Sequence, residues 1–171
     1  MLPERKPTRL KHFDYSHFGV YFITICIAER RCLLSKIARN EDRVVVSLSP
    51  IGEITREWLQ KITEFTPDYC VDQYTIMPNH IHLLLRIQWS ETQASKRVTD
   101  VIGWLKYQIT KDTRTKTDFS QFPLFQRSFY DHIVRNQDDY ERIAKYMYEN
   151  PVMWRDDRFY ITEEKDYASD G

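Results

Sequence analysis

The sequence is poor in cysteine and has no long apolar run. Its three cysteines fit neither a disulfide framework nor a zinc site in number or spacing, so we predict that they are reduced. No segment approaches the roughly 18 consecutive apolar residues that span a bilayer, and the charged, proline-containing residues 1–11 are unlike a secretory leader. We therefore expect a cytoplasmic protein with no membrane partner.

A net charge is also lacking, because 25 basic residues balance 25 acidic ones. Proteins that bind nucleic acid usually carry a basic excess, which this total does not provide. The charge is unevenly distributed, however. Residues 156–171 hold six acidic and two basic side chains, so this segment carries −4 and residues 1–155 carry +4. We predict one domain over 1–155 and an acidic tail over 156–171; on charge alone, a DNA-binding body and an ordinary solvated surface are equally compatible with the pattern.

The clearest chemical pattern lies in residues 77–85, which read MPNHIHLLL. Side chains on a strand alternate between faces, so His80 and His82 share one face and the intervening apolar residues occupy the other. Their Cβ atoms would lie roughly 6.5 to 7 Å apart, which lets both imidazoles lean toward one divalent cation or one phosphate. Taken alone, such a pair is more often structural than catalytic.

Alternating strands and helices are predicted along the chain from its hydrophobic periodicity and capping residues. Strands are expected over 20–27, Tyr69–Ile76, His80–Ile87 and 124–134, with a short extra strand at 44–46; helices over 50–65, 98–111 and 136–150; and a polar loop over 112–121. This order predicts an α+β, ferredoxin-like split βαβ fold with an antiparallel sheet, helices on one face and an added C-terminal helix. We expect His80 and His82 on the open face.

On the last predicted helix, Tyr146 lies outside the apolar stripe. The stripe consists of Tyr140, Ile143, Ala144 and Met147. Tyr146 and Asn150 are four residues apart and share a polar face, from which they could reach His80 and His82. By pattern alone, a surface tyrosine and a helix-ending asparagine explain this pair better.

Together these segments resemble the REP-associated, single-tyrosine HUH transposases. The matching stretches are MPNHIH at 77–82, RSFYDHIVRN at 127–136, DY at 139–140 and YMYENPV at 146–152, with FDY at 13–15 leading into YFIT at 21–24. The resemblance covers residues 12–155, and the paired motifs in this order are much more specific than a bare His-x-His.

The resemblance implies a single-stranded DNA endonuclease and strand transferase that acts on hairpin or palindromic DNA of the REP type. It implies that His80 and His82 bind Mg²⁺ or Mn²⁺ with Asn150 as third ligand. Tyr146 would attack a phosphorus and leave a 5′-phosphotyrosine and a free 3′-hydroxyl. His132 is a candidate general base, although a structural role at a strand end fits it better. The REP-associated branch favours a monomer, whereas insertion-sequence relatives work as dimers.

Basic and aromatic side chains are the predicted DNA contacts. The basic ones are Arg5, Lys6, Arg9 and Lys11 in an extended arm over 1–12, Arg30 and Arg31 after the first strand, and Lys106 near the second helix; the aromatic ones are Tyr15, Phe18 and Trp154.

Two other functions stay open. One is a His-x-His phosphohydrolase, but a histidine-triad hydrolase would need histidine at position 84 and a metallo-β-lactamase-type site would need aspartate, whereas the chain has Leu84. The other is a domesticated regulator that binds DNA without cleaving it, which the sequence does not separate from an active nuclease.

Overall fold

The structure is a computed structural model that describes residues 19–88 and 94–162. In chain order its elements are β1 (Gly19–Cys26), β2 (Ser35–Asn40), β3 (Arg43–Leu48), α1 (Pro50–Gln60), α2 (Ile62–Phe65), β4 (Tyr69–Ile76), β5 (His80–Ile87), α3 (Val98–Lys116), β6 (Tyr130–Val134) and α4 (Gln137–Glu149). The predicted basic arm and the last residues of the predicted tail lie outside the described residues.

A four-stranded antiparallel sheet in the order β4-β5-β1-β6 forms the centre of the protein. Placing β5 between β1 and β4 gives the topology of a split βαβ unit, and β6 adds on the other side of β1. The predicted α+β, ferredoxin-like fold is therefore confirmed, with α4 as the added helix. A separate hairpin of β2 and β3 is inserted before α1, where only a short strand at 44–46 was predicted.

One face of the sheet forms the main core with α1 and α3. Ile81, Leu83 and Leu85 of β5 point into this core and are fully buried, together with Leu59 of α1 and Leu105 of α3. Burying a side chain of this kind contributes roughly 1.5 to 3 kcal/mol. The same alternation turns His80 and His82 to the opposite face.

The N-terminus of α1 is fixed by local capping and by a close approach to the chain before β2. Ser49 accepts a hydrogen bond from the backbone N–H of Gly52 at 3.0 Å, and Pro50 occupies the first helical turn. A Cβ atom at Gly52 would lie 2.0 Å from the Leu34 carbonyl oxygen, so only glycine fits there.

The second face of the sheet is partly covered by α4. Ile143 and Met147 pack on Val20 and Leu84 in a small buried cluster. The sequence pattern predicts that this face is open. That prediction is wrong, because α4 has its own apolar stripe and packs it across the sheet.

Side chains of β4 also hold α4 in place. Gln73 donates to the Ala144 carbonyl at 3.2 Å, and Thr75 donates to the Met147 carbonyl at 3.0 Å. Pro151 has no N–H that could donate to the Met147 carbonyl four residues earlier. Thr75 therefore supplies the donor for this carbonyl. These bonds fix the position of the helix that carries Tyr146.

Helix α3 ends at Lys116, whereas the sequence pattern predicts a loop from residue 112. That prediction was wrong because tertiary contacts support polar helical residues here. Asp112 accepts hydrogen bonds from Trp58 Nε1 and from Lys116 Nζ, each at 2.8 Å, and Thr113 is fully buried. Local propensity is a weak predictor where such contacts exist.

Strand β6 is shorter than the predicted strand over 124–134. Residues 124–129 form one isolated bridge, between Phe125 and Ile27, and otherwise lie outside the sheet. Lys106 Nζ donates to the carbonyl oxygens of Gln126, Arg127 and Ser128, which occupies acceptors that a strand ladder would use.

The predicted start of the acidic tail at residue 156 falls inside the packed structure. The Asp157 side chain is fully buried and Phe159 is 3% exposed, so this segment is part of the folded body. The three cysteines are free. None of the helices in the described part of the chain has the length and apolar composition needed to span a bilayer. The cytoplasmic location stays a prediction.

Candidate functional site

His80 and His82 begin β5 and lie buried beneath α4 and the segment that follows it. They are 0% and 1% exposed, and their Nε2 atoms are 3.1 Å apart. The register of the sheet places Thr24 of β1 directly opposite His82. Thr24 Oγ1 therefore lies 2.9 Å from His82 Nδ1.

Asn79 orients the His80 ring. Its amide nitrogen donates to the carbonyls of Arg30 at 3.1 Å and Phe159 at 2.8 Å, which turns its amide oxygen toward His80 Nδ1 at 2.9 Å. That oxygen only accepts, so His80 Nδ1 carries the proton and Nε2 presents a lone pair. The Thr24 hydroxyl can donate or accept and so suits either tautomer of His82.

Both imidazoles are neutral near pH 7. Burial lowers the pKa of His80 to about 3, and burial together with the proximity of His80 lowers the pKa of His82 to about 3. Neutral imidazole is the form that binds a metal ion.

Tyr146 of α4 reaches the histidine pair within the same chain. Its hydroxyl lies 3.4 Å from His82 Nε2, and its ring packs edge-on against Phe22 with centroids 6.2 Å apart. Burial, and then the negative charge of Asp157, raise the pKa of Tyr146, whereas the charge of Arg158 lowers it. The side chain is still 40% exposed, so a substrate can reach it.

Asp157 brings a carboxylate to the same place. Its Oδ2 atom is 3.8 Å from His80 Nε2 and accepts a 2.7 Å hydrogen bond from the Asn150 amide nitrogen, while Oδ1 accepts from the Phe159 N–H at 2.7 Å. Among the described residues, His80 is the only basic group within 4.0 Å of this carboxylate. A buried carboxylate beside neutral imidazoles needs a positive partner.

These donors fit a divalent cation. One ligand atom from each of His80, His82 and Asp157 lies within 4.8 Å of the others. Octahedral ligands at about 2.1 Å from a metal are roughly 3.0 Å apart when adjacent, close to the separation of the two Nε2 atoms. The Asn150 Oδ1 atom is buried and has no hydrogen-bond partner among the described residues, so it offers a further oxygen.

A cavity of about 390 Å³ opens beside Tyr146 and His82. Two arginines, Arg142 and Arg158, line this cavity together with His132. His132 Nε2 bonds to Asp139 at 2.7 Å, and Arg142 pairs with the same carboxylate. Asp139 lies in the first turn of α4, so this cluster ties the helix to β6 and supports the structural reading of His132.

Comparison with known proteins gives consistent matches. No family model matches the chain. A Haemophilus influenzae protein of uncharacterised function is 28% identical over 174 residues, which cover 92% of this chain and 93% of that protein. A candidate REP-associated tyrosine transposase from Haemophilus influenzae is 24% identical over 143 residues, covering 81% of this chain and 73% of that protein.

Two solved structures share the fold. A REP-associated tyrosine transposase bound to a REP hairpin matches with a TM-score of 0.62 and 20% identity over 88% of this chain and 74% of the other. The chain resembles the REP-associated tyrosine transposases. A transposase candidate from Deinococcus radiodurans matches with a TM-score of 0.52 and 14% identity over 82% of this chain and 97% of the other. At these identities the two structures show the fold alone, while the sequence similarity supports a transposase-like role in DNA processing.

The structure brings together the four residues that the transposase resemblance pointed to: Tyr146, His80, His82 and Asn150. Their roles stay predictions. Asp157 and Asn79 are not among the predicted site residues: the charge count assigns Asp157 to the acidic tail, and Asn79 enters the sequence pattern only within the MPNHIH motif. The aromatic residues Trp154, Phe159 and Tyr160 around Asp157 were the signal of a packed segment.

The predicted DNA contacts have different surroundings. Arg31 donates to the carbonyls of Ala28, Gln121 and Pro123. Lys106 donates to the Gln126 carbonyl in the segment that follows Pro123. Both side chains brace the protein's own backbone, and their contact with DNA stays a prediction. Arg30 is exposed and lies over the Phe159 ring, near the histidines. The other predicted contacts lie outside the described residues. They are the basic residues Arg5, Lys6, Arg9 and Lys11 and the aromatic residues Tyr15 and Phe18.

Proposed function

We propose that this chain cleaves and rejoins single-stranded DNA through a covalent link to Tyr146. The observation that carries the proposal is the 3.4 Å approach of the Tyr146 hydroxyl to His82 Nε2, in a site where both histidines are buried and neutral. A nucleophile beside two potential metal ligands and an accessible basic cavity is what phosphoryl transfer requires.

In the proposed step, Tyr146 Oη forms a bond to phosphorus as its proton leaves to solvent. The bond from phosphorus to the 3′ oxygen of the preceding nucleotide breaks, and that oxygen takes up a proton. The products are a 5′-phosphotyrosine and a free 3′-hydroxyl. Because the phosphodiester is exchanged for another ester of similar energy, the reverse attack by a 3′-hydroxyl can rejoin strands without ATP.

We further propose that His80, His82 and Asn150 hold Mg²⁺ or Mn²⁺, with Asp157 as an additional oxygen ligand. Asp157 matters because hard cations prefer anionic oxygen, which two imidazoles and an amide do not supply. A bound cation supplies Lewis-acid polarisation of a phosphate oxygen. Asn79 and Thr24 keep the two imidazoles aimed at one point, and Asn150 holds the Asp157 carboxylate.

The proposed substrate is hairpin or palindromic single-stranded DNA of the REP type. This rests on similarity to a transposase whose solved structure contains a REP hairpin. Arg30, Arg31, Lys106 and the basic residues of the arm over 1–12 are the proposed DNA contacts. Because the described residues of one chain hold both the histidines and the tyrosine, we favour a monomer as the catalytic unit.

A 3′-labelled hairpin oligonucleotide, incubated with the protein and Mn²⁺, tests the chemistry. A 5′-phosphotyrosine transfers the label to the protein, which then migrates as a covalent adduct on a denaturing gel. Tyr146→Phe should abolish this band. Tyr148→Phe is the matched control, since Tyr148 lies two residues away on α4 and is 82% exposed. Tight binding with no adduct would instead identify a DNA-binding regulator.

A further inference from the structure

Arg158 lies in the cavity that contains Tyr146. Its guanidinium carbon is 4.6 Å from the centroid of the Phe159 ring and 5.4 Å from that of Tyr130. Phe159 is buried, and its ring packs 4.6 Å from the His80 ring. The two aromatic rings therefore hold the Arg158 guanidinium at a defined place next to the histidine pair.

The positive charge around Phe159 is not balanced by ion pairs within the described residues. Arg30 lies over the same ring at 5.7 Å, and neither Arg30 nor Arg158 has a carboxylate within 4.0 Å in the described part of the chain. Arg142, which lines the same cavity, is by contrast paired with Asp139. Both guanidinium groups lie near the Phe159 ring, so their like charges add there and an anion bound nearby would offset them.

The charge of Arg158 lies at the cavity that holds the reacting groups. Its side chain lines that cavity together with Tyr146 and His82. An arginine remains charged throughout the working pH range and presents planar, paired donors that match phosphate oxygens.

We propose that Arg158 binds the phosphate group that Tyr146 attacks and offsets the negative charge that develops on its oxygens. This inference rests on the proposed function. It assigns a role to a residue that the charge count places in the acidic tail. Arg30, which lies over the same Phe159 ring, is placed to contact a neighbouring phosphate of the same strand.

The test uses the full chain with Arg158→Ala, Arg158→Lys and the matched control Arg155→Ala. Arg155 is exposed and lines a different cavity, together with Arg39 and Val152. Its replacement by alanine removes the same charge as Arg158→Ala. Adduct formation is followed with the 3′-labelled oligonucleotide, and binding of the same oligonucleotide is followed by fluorescence anisotropy at several salt concentrations. Mn²⁺ binding by calorimetry checks that the site is still folded.

Arg158→Ala should slow adduct formation by about a hundredfold or more while Mn²⁺ binding is retained. Its DNA affinity should fall less than tenfold. The slope of log affinity against log salt concentration should decrease in magnitude by about one, as expected for the loss of one phosphate contact. Arg158→Lys should recover part of the rate, and Arg155→Ala should match the wild type.

Two results separate the failure of this inference from the failure of the proposed function. If the wild type forms the adduct and Arg158→Ala forms it equally fast, only the role of Arg158 is overturned. If the wild type forms no adduct, the proposed function fails. The binding measurements then test Arg158 separately: a DNA affinity and salt dependence that are unchanged in Arg158→Ala would show that Arg158 does not bind phosphate. Loss of Mn²⁺ binding in both Arg158 variants would identify a structural residue and would also overturn the assignment.

Discussion

Individual side chains at the site have roles that follow from their surroundings more than from their residue type. His80 and His82 are neutral because they are buried, and the Asn79 amide fixes the lone pair of His80 toward the centre of the site. In the proposed metal site, Asp157 contributes the charge that the imidazoles lack. The His-x-His spacing and the position of Tyr146 on a polar helix face could be predicted from the sequence. The aromatic residues around Asp157 indicate a packed segment, but its place beside the histidines could not be predicted, because it lies beyond α4 and only tertiary packing brings it back to the sheet.

Asp157→Asn tests the proposed metal site at the scale of one atom. Asparagine keeps the shape and can still accept the Phe159 N–H, which should retain the fold. Its amide nitrogen replaces the oxygen that accepts from Asn150, so the anionic ligand and that hydrogen bond are lost together. We expect Mn²⁺ affinity to fall by about tenfold or more in a calorimetric titration. The control is Asp156→Asn, which changes the charge of an exposed neighbour. Unchanged Mn²⁺ affinity in Asp157→Asn would remove this residue from the ligand set.

The elements differ in how far the sequence predicts them. The strands β1, β4 and β5 have strong β-branched or alternating patterns, and their positions were predicted closely. The end of α3 and the segment over 124–129 were predicted wrongly because Asp112 and Lys106 make contacts with distant parts of the chain. Capping signals predicted the start of α4: Asn136 accepts from the Asp139 N–H at 2.8 Å.

The attachment of α4 to β4 can be tested through Thr75. Thr75→Val is nearly isosteric but removes the donor to the Met147 carbonyl, which Pro151 cannot replace. A buried carbonyl without a partner costs about 1 to 3 kcal/mol, so urea unfolding should show a loss in that range. Adduct formation should slow as well, because Tyr146 is carried by the same helix. Thr115→Val, at an exposed position of α3, should change neither the stability in urea nor the rate of adduct formation. A Thr75→Val protein as stable as the wild type would show that this bond does not hold the helix.

At the scale of the whole molecule, the fold presents a complete candidate site from one chain. The ferredoxin-like order of elements could be predicted because the connections are short and each element has a clear periodic pattern. The covered second face of the sheet could not, because it depends on how α4 and the segment after it pack. That packing places Tyr146 against the histidines of its own chain.

A complementation experiment tests whether one chain is sufficient. Tyr146→Phe and His80→Ala proteins are mixed, and adduct formation is measured against either protein alone. We expect no recovery, because the Tyr146 hydroxyl lies against His82 of the same chain. Recovery of adduct formation in the mixture would indicate that two chains share the site and would contradict the monomeric arrangement.

The most direct test of the central claim is to identify the residue that becomes attached to DNA. After reaction with a hairpin oligonucleotide and Mn²⁺, the protein is digested with trypsin and nuclease, and the modified peptide is sequenced by mass spectrometry. Residues 146–155 form one tryptic peptide that contains both Tyr146 and Tyr148, so its fragments must place the nucleotide. The account predicts a 5′-phosphate ester on Tyr146. A nucleotide on Tyr148, on another tyrosine or on a different residue type would contradict it.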